Sequence, residues 1–353
     1  MKSVENLEGE INYRKLKAKV SQQILRRLDD NFISYFRAIE DWKANRDKYS
    51  GQPKPPNYIK ADFYTLIYNY QAFQIVNSRA VLDIKNDLSI KIPKQLLNRN
   101  IKQIIINRKH YHFEAVFIYE DEKELVQIEN SNRVVGIDLG VNNLATVASN
   151  IDLKPFIING KPIKSINQFY NKNYAKYSSR LHKEGKSMWS KRLEKLTTNR
   201  NNKVKDYLHK STNIVLKSYI ENSISTVVIG NISHLSSNNI NLGKRNNQNI
   251  TSFPFGQFVE LLKYKLEAHN IKLKIVDESY TSKASFLDGD FLPKKYDKEK
   301  SYTFSGKRVK RGLYKTKDGI LINADLNGAL NIIRKFDSSF SKSDISTILK
   351  YSS

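Results

Sequence analysis

Between Lys15 and Trp42 the apolar residues Val20, Ile24, Leu28, Phe32, Tyr35 and Ile39 recur at three- and four-residue steps among Lys, Arg and Asp. That is the spacing of one helix face, and it predicts an amphipathic helix. The cluster Gly51-Gln52-Pro53-Lys54-Pro55-Pro56 cannot continue it and reads as a linker. From Phe63 to about Glu129 the pattern becomes short and β-branched, in the stretches 72–76, 88–92, 104–106 and 111–118, which predicts a small, barrel-like β module. A different grammar begins at Asn132. Val134 to Ala148 reads as two strands around a Gly- and Asn-bearing turn, followed by a long basic helical region from about Gln168 to Glu221. A buried-type strand (225–229), a polar loop, a helix (255–269), a strand (272–276), a long basic loop and a last helix (325 to about 336) complete the pattern. Strands alternating with helices predict an α/β domain. The expected segments are 1–50, 51–130, 131–336 with a basic insert at 284–322, and a Ser-rich tail at 337–353.

Composition narrows the function. The chain has 353 residues, so two or three domains are expected, and its 20 Tyr and 16 Phe argue against a solvating, disordered chain. It carries no cysteine, which excludes disulfides and thiolate metal sites. No run of about 18 apolar residues and no signal-type leader occur, so a soluble, cytoplasmic, nucleoid-acting protein is expected, with no membrane partner. Against 35 acidic residues stand 60 Lys and Arg, a formal charge of +25, and a surplus of that size answers a polyanion.

Three carboxylates draw attention, because Mg²⁺-assisted phosphodiester cleavage needs oxygen ligands converging on one point. Asp138 ends an apolar strand, where an acid is costly to bury unless ligated or hydrogen-bonded. Asp325 opens the last helix and reads equally well as an N-cap. Glu278 follows the 272–276 strand beside Asp277, and by spacing alone the two read as a solvated strand-end pair.

Together these residues carry a resemblance. Asp138 in GIDLGVNNLAT, the block Tyr280-Thr281-Ser282-Lys283 and Asp325 in NADLNGALNIIRK resemble, in order and spacing, the nuclease core of the TnpB (OrfB-like) family of insertion-sequence proteins. That family is related to Fanzor proteins and type V CRISPR effectors. The resemblance covers roughly residues 15 to 336. It implies an RNase H-like (RuvC-type) nuclease domain, preceded by a β-barrel-like, wedge-like module and a helical recognition segment. It further implies RNA-guided cleavage of double-stranded DNA beside a short adjacent motif, with a guide (omega) RNA and two Mg²⁺ ions for which Mn²⁺ can substitute. In such a scheme base pairing reads the target and protein reads the motif and the heteroduplex shape. Relatives carry further helical sequence before the first helix, so the chain is expected to be short at its N-terminus.

Two departures from the family pattern matter. The usual second carboxylate, a Glu after the central strand, is replaced by Val228-Ile229-Gly230-Asn231-Ile232, with no acid between Glu221 and Glu260. Either the site is dead, with Asn231 at the Glu position, or the carboxylate has moved. A rearranged arrangement known among Fanzors places the Glu just before the T-S-K block, and that assigns Asp138, Glu278 and Asp325 as catalytic metal ligands, with Asp277 as fallback. The second departure is the missing zinc ribbon, so no zinc is expected and the insert reads as a metal-free basic flap.

Between Lys172 and Lys210 the helical region carries 12 Lys or Arg residues against Glu184, Glu194 and Asp206. A backbone-tracking groove and a solvated helix face both fit. The nucleic-acid-binding candidates are Arg26, Arg27, Lys172, Lys176, Arg180, Lys283, Lys307, Arg308, Lys310 and Arg311. His209 reads as a packing or surface histidine. The competing function is a nuclease-inactive, RNA-guided DNA-binding protein.

Overall fold

The computed structural model describes residues 15–57, 63–109, 112–121, 132–186, 190–231, 248, 250–297, 299–310 and 312–345. The chain divides into two compact units, residues 1–123 and 124–353.

In the first unit, helix α1 (Ala18–Ala44) is followed by strands β1 (Leu66–Asn69), β2 (Gln74–Val76), β3 (Arg79–Asp83), β4 (Leu88–Lys91), β5 (Asn100–Arg108) and β6 (Phe113–Glu120). They pair as two antiparallel three-stranded sheets, β1-β5-β6 and β2-β3-β4. No described strand pairing joins the two sheets, which instead share a core of Tyr68, Phe73, Leu82, Ile92, Ile101 and Ile104 with Val20 of α1. The predicted apolar stripe of α1 is real in spacing but is little covered. Only Val20 and Ser21 are buried, while Leu28, Phe32 and Phe36 stay exposed.

The second unit is built on a five-stranded sheet ordered β11-β10-β7-β8-β9. Its strands are β7 (Val134–Leu139), β8 (Asn143–Ser149), β9 (Phe156–Asn159), β10 (Thr226–Gly230) and β11 (Lys272–Val276). β7, β10 and β11 run parallel, β8 runs antiparallel to β7, and β9, antiparallel to β8, points the same way as β7. This is an α/β fold. The helices are α2 (Lys161–Lys183), α3 (Lys191–Glu221), α4 (Phe255–Glu267) and α5 (Ala324–Phe336). The single basic helical region expected from sequence is two helices. Gly185 adopts φ +62°, and the Lys186 and Gly185 N–H groups bond back to Leu181 and His182, the glycine-assisted stop of an α-helix.

Strand alternation decides what each face meets. Val135, Ile137 and Leu139 of β7, with Val227 and Ile229 of β10, pack against Val204, Leu208, Val215, Phe258 and Leu262 of α3 and α4. The intervening positions Val134 and Val228 face α5, where Ala329, Leu330, Ile332 and Ile333 are buried. Full burial of such an aliphatic side chain stabilises by about 1.5–3 kcal/mol, so α5 is anchored by its apolar stripe. Asp138 and Gly230 share the parity of Val134 and Val228, and therefore lie on the α5 face.

The basic insert is more ordered than a loop. Strands β12 (Lys307–Lys310), β13 (Leu313–Lys315) and β14 (Leu321–Asn323) form a third antiparallel sheet. Phe286 and Tyr314 bury their rings in the α5-side core. Among the described residues no helix is long and apolar enough to cross a membrane.

Candidate active site

The asparagines of the last helix hold the site together. Asn327 donates to the Ala284 carbonyl at 2.8 Å and accepts from the Phe286 N–H at 3.0 Å. Asn331 donates to the Thr281 and Ala284 carbonyls at 2.9 and 2.8 Å. Both side chains are fully buried, so losing one leaves backbone groups unpaired at about 1–3 kcal/mol. The D-x-N-x-A-x-N pattern thus has a physical content: its two Asn residues clamp the turn that follows Glu278 onto the helix that carries Asp325.

Asp325 is not the helix cap. Asn323 fills that position, its side-chain oxygen accepting from the Asp325 and Leu326 N–H groups at 2.9 and 3.1 Å. The Asp325 carboxylate is free of the capping role. One of its oxygens accepts from Asn143 Nδ2 at 2.7 Å, and the other lies 3.2 Å from Arg308 Nη2.

Asp138 projects from β7 toward α5 at Gly328. A Cβ on Gly328 would stand 2.8 Å from an Asp138 carboxylate oxygen, so only glycine permits this approach. Burial, and then the Asp325 and Glu278 carboxylates, push Asp138 well above the usual carboxylate range, and Arg308 offsets them only in part. Glu278 lies over the end of β10. A Cβ on Gly230 would meet its Oε2 at 2.7 Å and its own Cβ at 3.0 Å. The strand-end position against which Glu278 packs is Gly230, and the N–H of the next residue, Asn231, pairs with the Val276 carbonyl at 2.7 Å. Asp277 is engaged elsewhere. It accepts from the Ser279 N–H at 2.8 Å and pairs with Lys335 at 3.7 Å. Burial raises its pKa, but these bonds outweigh that and hold it below the ordinary range.

The structure thus brings Asp138, Glu278, Asp325 and Arg308 into mutual electrostatic reach. The donor chemistry fits a hard divalent cation, because three carboxylates share one half-buried region and the Arg308 guanidinium offsets their charge only in part. The Thr146 hydroxyl is buried without a partner on the strand position paired with Asp138, a polar atom left unmet beside it. Among the described residues no three His, Cys, Asp or Glu side chains stand close enough to hold one ion as they are placed here. The carboxylates meet as mutually repelling charges.

Arg26 and Arg27 are exposed on α1, with Arg27 over the Tyr64 ring at 5.2 Å. Lys172, Lys176 and Arg180 are exposed on α2, Arg180 pairing with Glu184 at 2.7 Å. Lys283, Lys307 and Lys310 are exposed around the insert, and Arg311, with Trp189, lies outside the described residues. His209 lends its backbone carbonyl to the buried Lys265, and burial lowers its own pKa. Sequence reasoning missed Asn143, Gly230 and Gly328. Asn143 stood inside the quoted GVNNLAT text, but only a long-range contact reveals its partner.

Two family models match this chain. One, OrfB_IS605, is described as a probable transposase and covers residues 116–236; the other, a Cas12f1-like TNB domain, covers residues 255–332. The chain is similar to TnpB-like (OrfB) proteins over these two regions. The two matches divide between residues 236 and 255, so the Asp138 strand falls in the OrfB match, and Glu278 and Asp325 fall in the TNB match. Among solved structures, a Cas12f1–sgRNA–target DNA complex is similar over 88% of this chain and 75% of that one, at 15% identity and a TM-score of 0.50, a likeness of fold. A CRISPR–Cas12f ternary complex matches at 14% identity, 92% and 75% coverage and a TM-score of 0.42. Alicyclobacillus acidoterrestris C2c1 with single-guide RNA matches at 14% identity, 54% and 22% coverage and a TM-score of 0.33. No curated protein matches.

Proposed function

We propose that this TnpB-like protein is an RNA-guided, metal-dependent DNA endonuclease of an insertion sequence, cutting double-stranded DNA beside a short adjacent motif. The observation that carries the reading is the convergence of Asp138, Asp325 and Glu278 on one face of the sheet, where burial first and then the other two carboxylates push Asp138 upward. These three carboxylates would hold Mg²⁺, or Mn²⁺ in its place. When bound, the metal supplies Lewis-acid polarisation of the scissile phosphate and charge to balance the attacking and leaving oxygens. The protein's own part is placement. Asn143 fixes one Asp325 oxygen, and the half-exposed Arg308 guanidinium offers a fork suited to a phosphate. The charge of +25 matches an RNA scaffold plus a heteroduplex, with Arg26, Arg27, Lys172, Lys176, Arg180, Lys283, Lys307, Lys310 and Arg311 as backbone contacts.

A second reading, guided binding without cleavage, is favoured by one observation: β10 ends in Gly230-Asn231 with no acid. One experiment separates the two. The RNA that co-purifies with the protein is sequenced, and a plasmid bearing the matched target is incubated with Mg²⁺ or EDTA. Mg²⁺-dependent, guide-dependent cutting supports the nuclease. Guide-dependent binding without cutting in Mg²⁺ or Mn²⁺ supports the second reading.

A further inference from the structure

Two residues beyond Glu278 the backbone does something unusual. Tyr280 adopts φ +67°, a left-handed conformation that bulky residues rarely take and that persists only where surroundings enforce it. Its ring is the hub of an aromatic group drawn from the insert. Tyr302 stands edge-on at 5.1 Å, Tyr296 is near-parallel at 6.0 Å and Phe304 lies at 6.0 Å, while Phe291 reaches Tyr302 at 6.2 Å. The Tyr280 hydroxyl donates to the Asp297 carbonyl at 3.3 Å, which ties the hub to the insert.

A structural mini-core would bury its rings, as Phe286 and Tyr314 are buried in the same region. This group does not: Phe291 is 73% exposed and Tyr296 65% exposed. Its place along the chain is also specific, since it lies between Glu278 on one side and Arg308, which contacts Asp325, on the other. Exposed Lys283, Lys294, Lys295 and Lys307 flank it. Open ring faces among cations at the rim of a carboxylate centre form the pattern by which proteins hold unpaired bases: rings stack on the bases and lysines follow the backbone.

We propose that the Tyr280 group is a stacking platform for unpaired bases of a single nucleic-acid strand, with Phe291 and Tyr296 as the contacting rings and Tyr280 as the residue that positions them. The inference rests on the nucleic-acid reading of the carboxylate centre, but it concerns base faces and not backbone charge.

The test uses the full chain, stripped of nucleic acid at high salt, and three labelled probes at one ionic strength: a 20-nucleotide oligo-dT, an abasic phosphodiester strand of equal length and a 20-bp duplex. The wild type is expected to prefer oligo-dT over the abasic strand by about tenfold or more, the size of one or two base-stacking contacts. Phe291→Ala with Tyr296→Ala should remove most of that preference and leave abasic-strand affinity and salt dependence unchanged. Phe291→Leu with Tyr296→Leu, which keeps apolar bulk without a ring face, should behave like the Ala pair. The platform is refuted if oligo-dT and the abasic strand bind equally, if the variants keep the preference, or if the duplex loses affinity as much as oligo-dT does. Failure to bind any probe would refute the nucleic-acid reading together with the platform.

Discussion

Gly230→Ala adds one methyl group, and the structure says where that methyl goes. It would stand 2.7 Å from Glu278 Oε2, 3.0 Å from Glu278 Cβ and 3.2 Å from Ile332 Cδ1. Optimal heavy-atom contacts are about 3.5–4.0 Å, so the Glu278 side chain must retreat by roughly 0.5–1 Å. Elsewhere in a strand, replacing Gly by Ala stabilises by about 0.5–1 kcal/mol. Here the crowding, at about 1–3 kcal/mol for an overpacked methylene, outweighs that gain. The effect on chemistry is larger, because a misplacement of about 1 Å at a catalytic group costs on the order of a hundredfold. The expected result is therefore a small loss of stability, about 1 kcal/mol by urea titration, with cleavage of guide-matched DNA reduced about 100-fold and binding retained. A Glu278→Ala background removes the Oε2 contact at 2.7 Å but keeps the Cβ and Ile332 contacts, so a double-mutant cycle should give a coupling of about 0.5–1 kcal/mol. Full cleavage by Gly230→Ala, or a coupling within about 0.3 kcal/mol of zero, would refute the socket argument.

Three further outcomes follow from the same geometry. Asp138 holds its proton to a higher pH when folded than when unfolded, so the native state binds more protons. Metal-free stability should then rise as pH falls from the raised pKa toward the ordinary carboxylate range near about 4 and be lost above it; Asp138→Asn should melt higher than wild type in EDTA at neutral pH, with the gap closing in acid. Asn143→Ala should weaken Mn²⁺ binding, read by calorimetry, by about tenfold or more, because ligand-orienting hydrogen bonds are typically worth 10- to 100-fold in affinity. Arg308→Ala should reduce cleavage more than Arg308→Lys does, whereas Lys172→Ala, on exposed α2, should only lessen the salt dependence of binding.

Much of this architecture is legible in the pattern of apolar residues, and the failures have physical causes. β7, β8 and β10 follow from buried apolar runs, β11 from a short apolar stretch that stays largely exposed, and α5 from its three- and four-residue apolar spacing. β1 and β9 are only four residues long, and the five-residue β3, Arg79-Ala80-Val81-Leu82-Asp83, buries small Ala80 and Leu82 between charged ends, so none makes an apolar run long enough to stand out. The insert reads as a loop because β12 is charged and exposed, and β13 and β14 are only three residues each, held by pairing and by buried Tyr314 rather than by a long apolar run. The site was partly readable. Asp138 is an acid in an apolar strand, a local signal. Glu278 needed the resemblance, since beside Asp277 it looks like a solvated pair. Gly230 was visible only as something missing. An empty side chain carries no sequence signal until the carboxylate that occupies its space is known.

The central claim is that Glu278, lying over Gly230, completes a three-carboxylate metal centre with Asp138 and Asp325. Its most direct test is cleavage of guide-matched duplex DNA in Mg²⁺ by the protein–RNA complexes of wild type, Glu278→Ala, Asp277→Ala and Asn231→Ala, with target binding measured in parallel. Glu278→Ala should bind the target as wild type does and cut it slower by orders of magnitude. Asp277→Ala should keep partial activity, and Asn231→Ala should cut nearly normally. A Glu278→Ala complex that cuts at the wild-type rate would contradict the account.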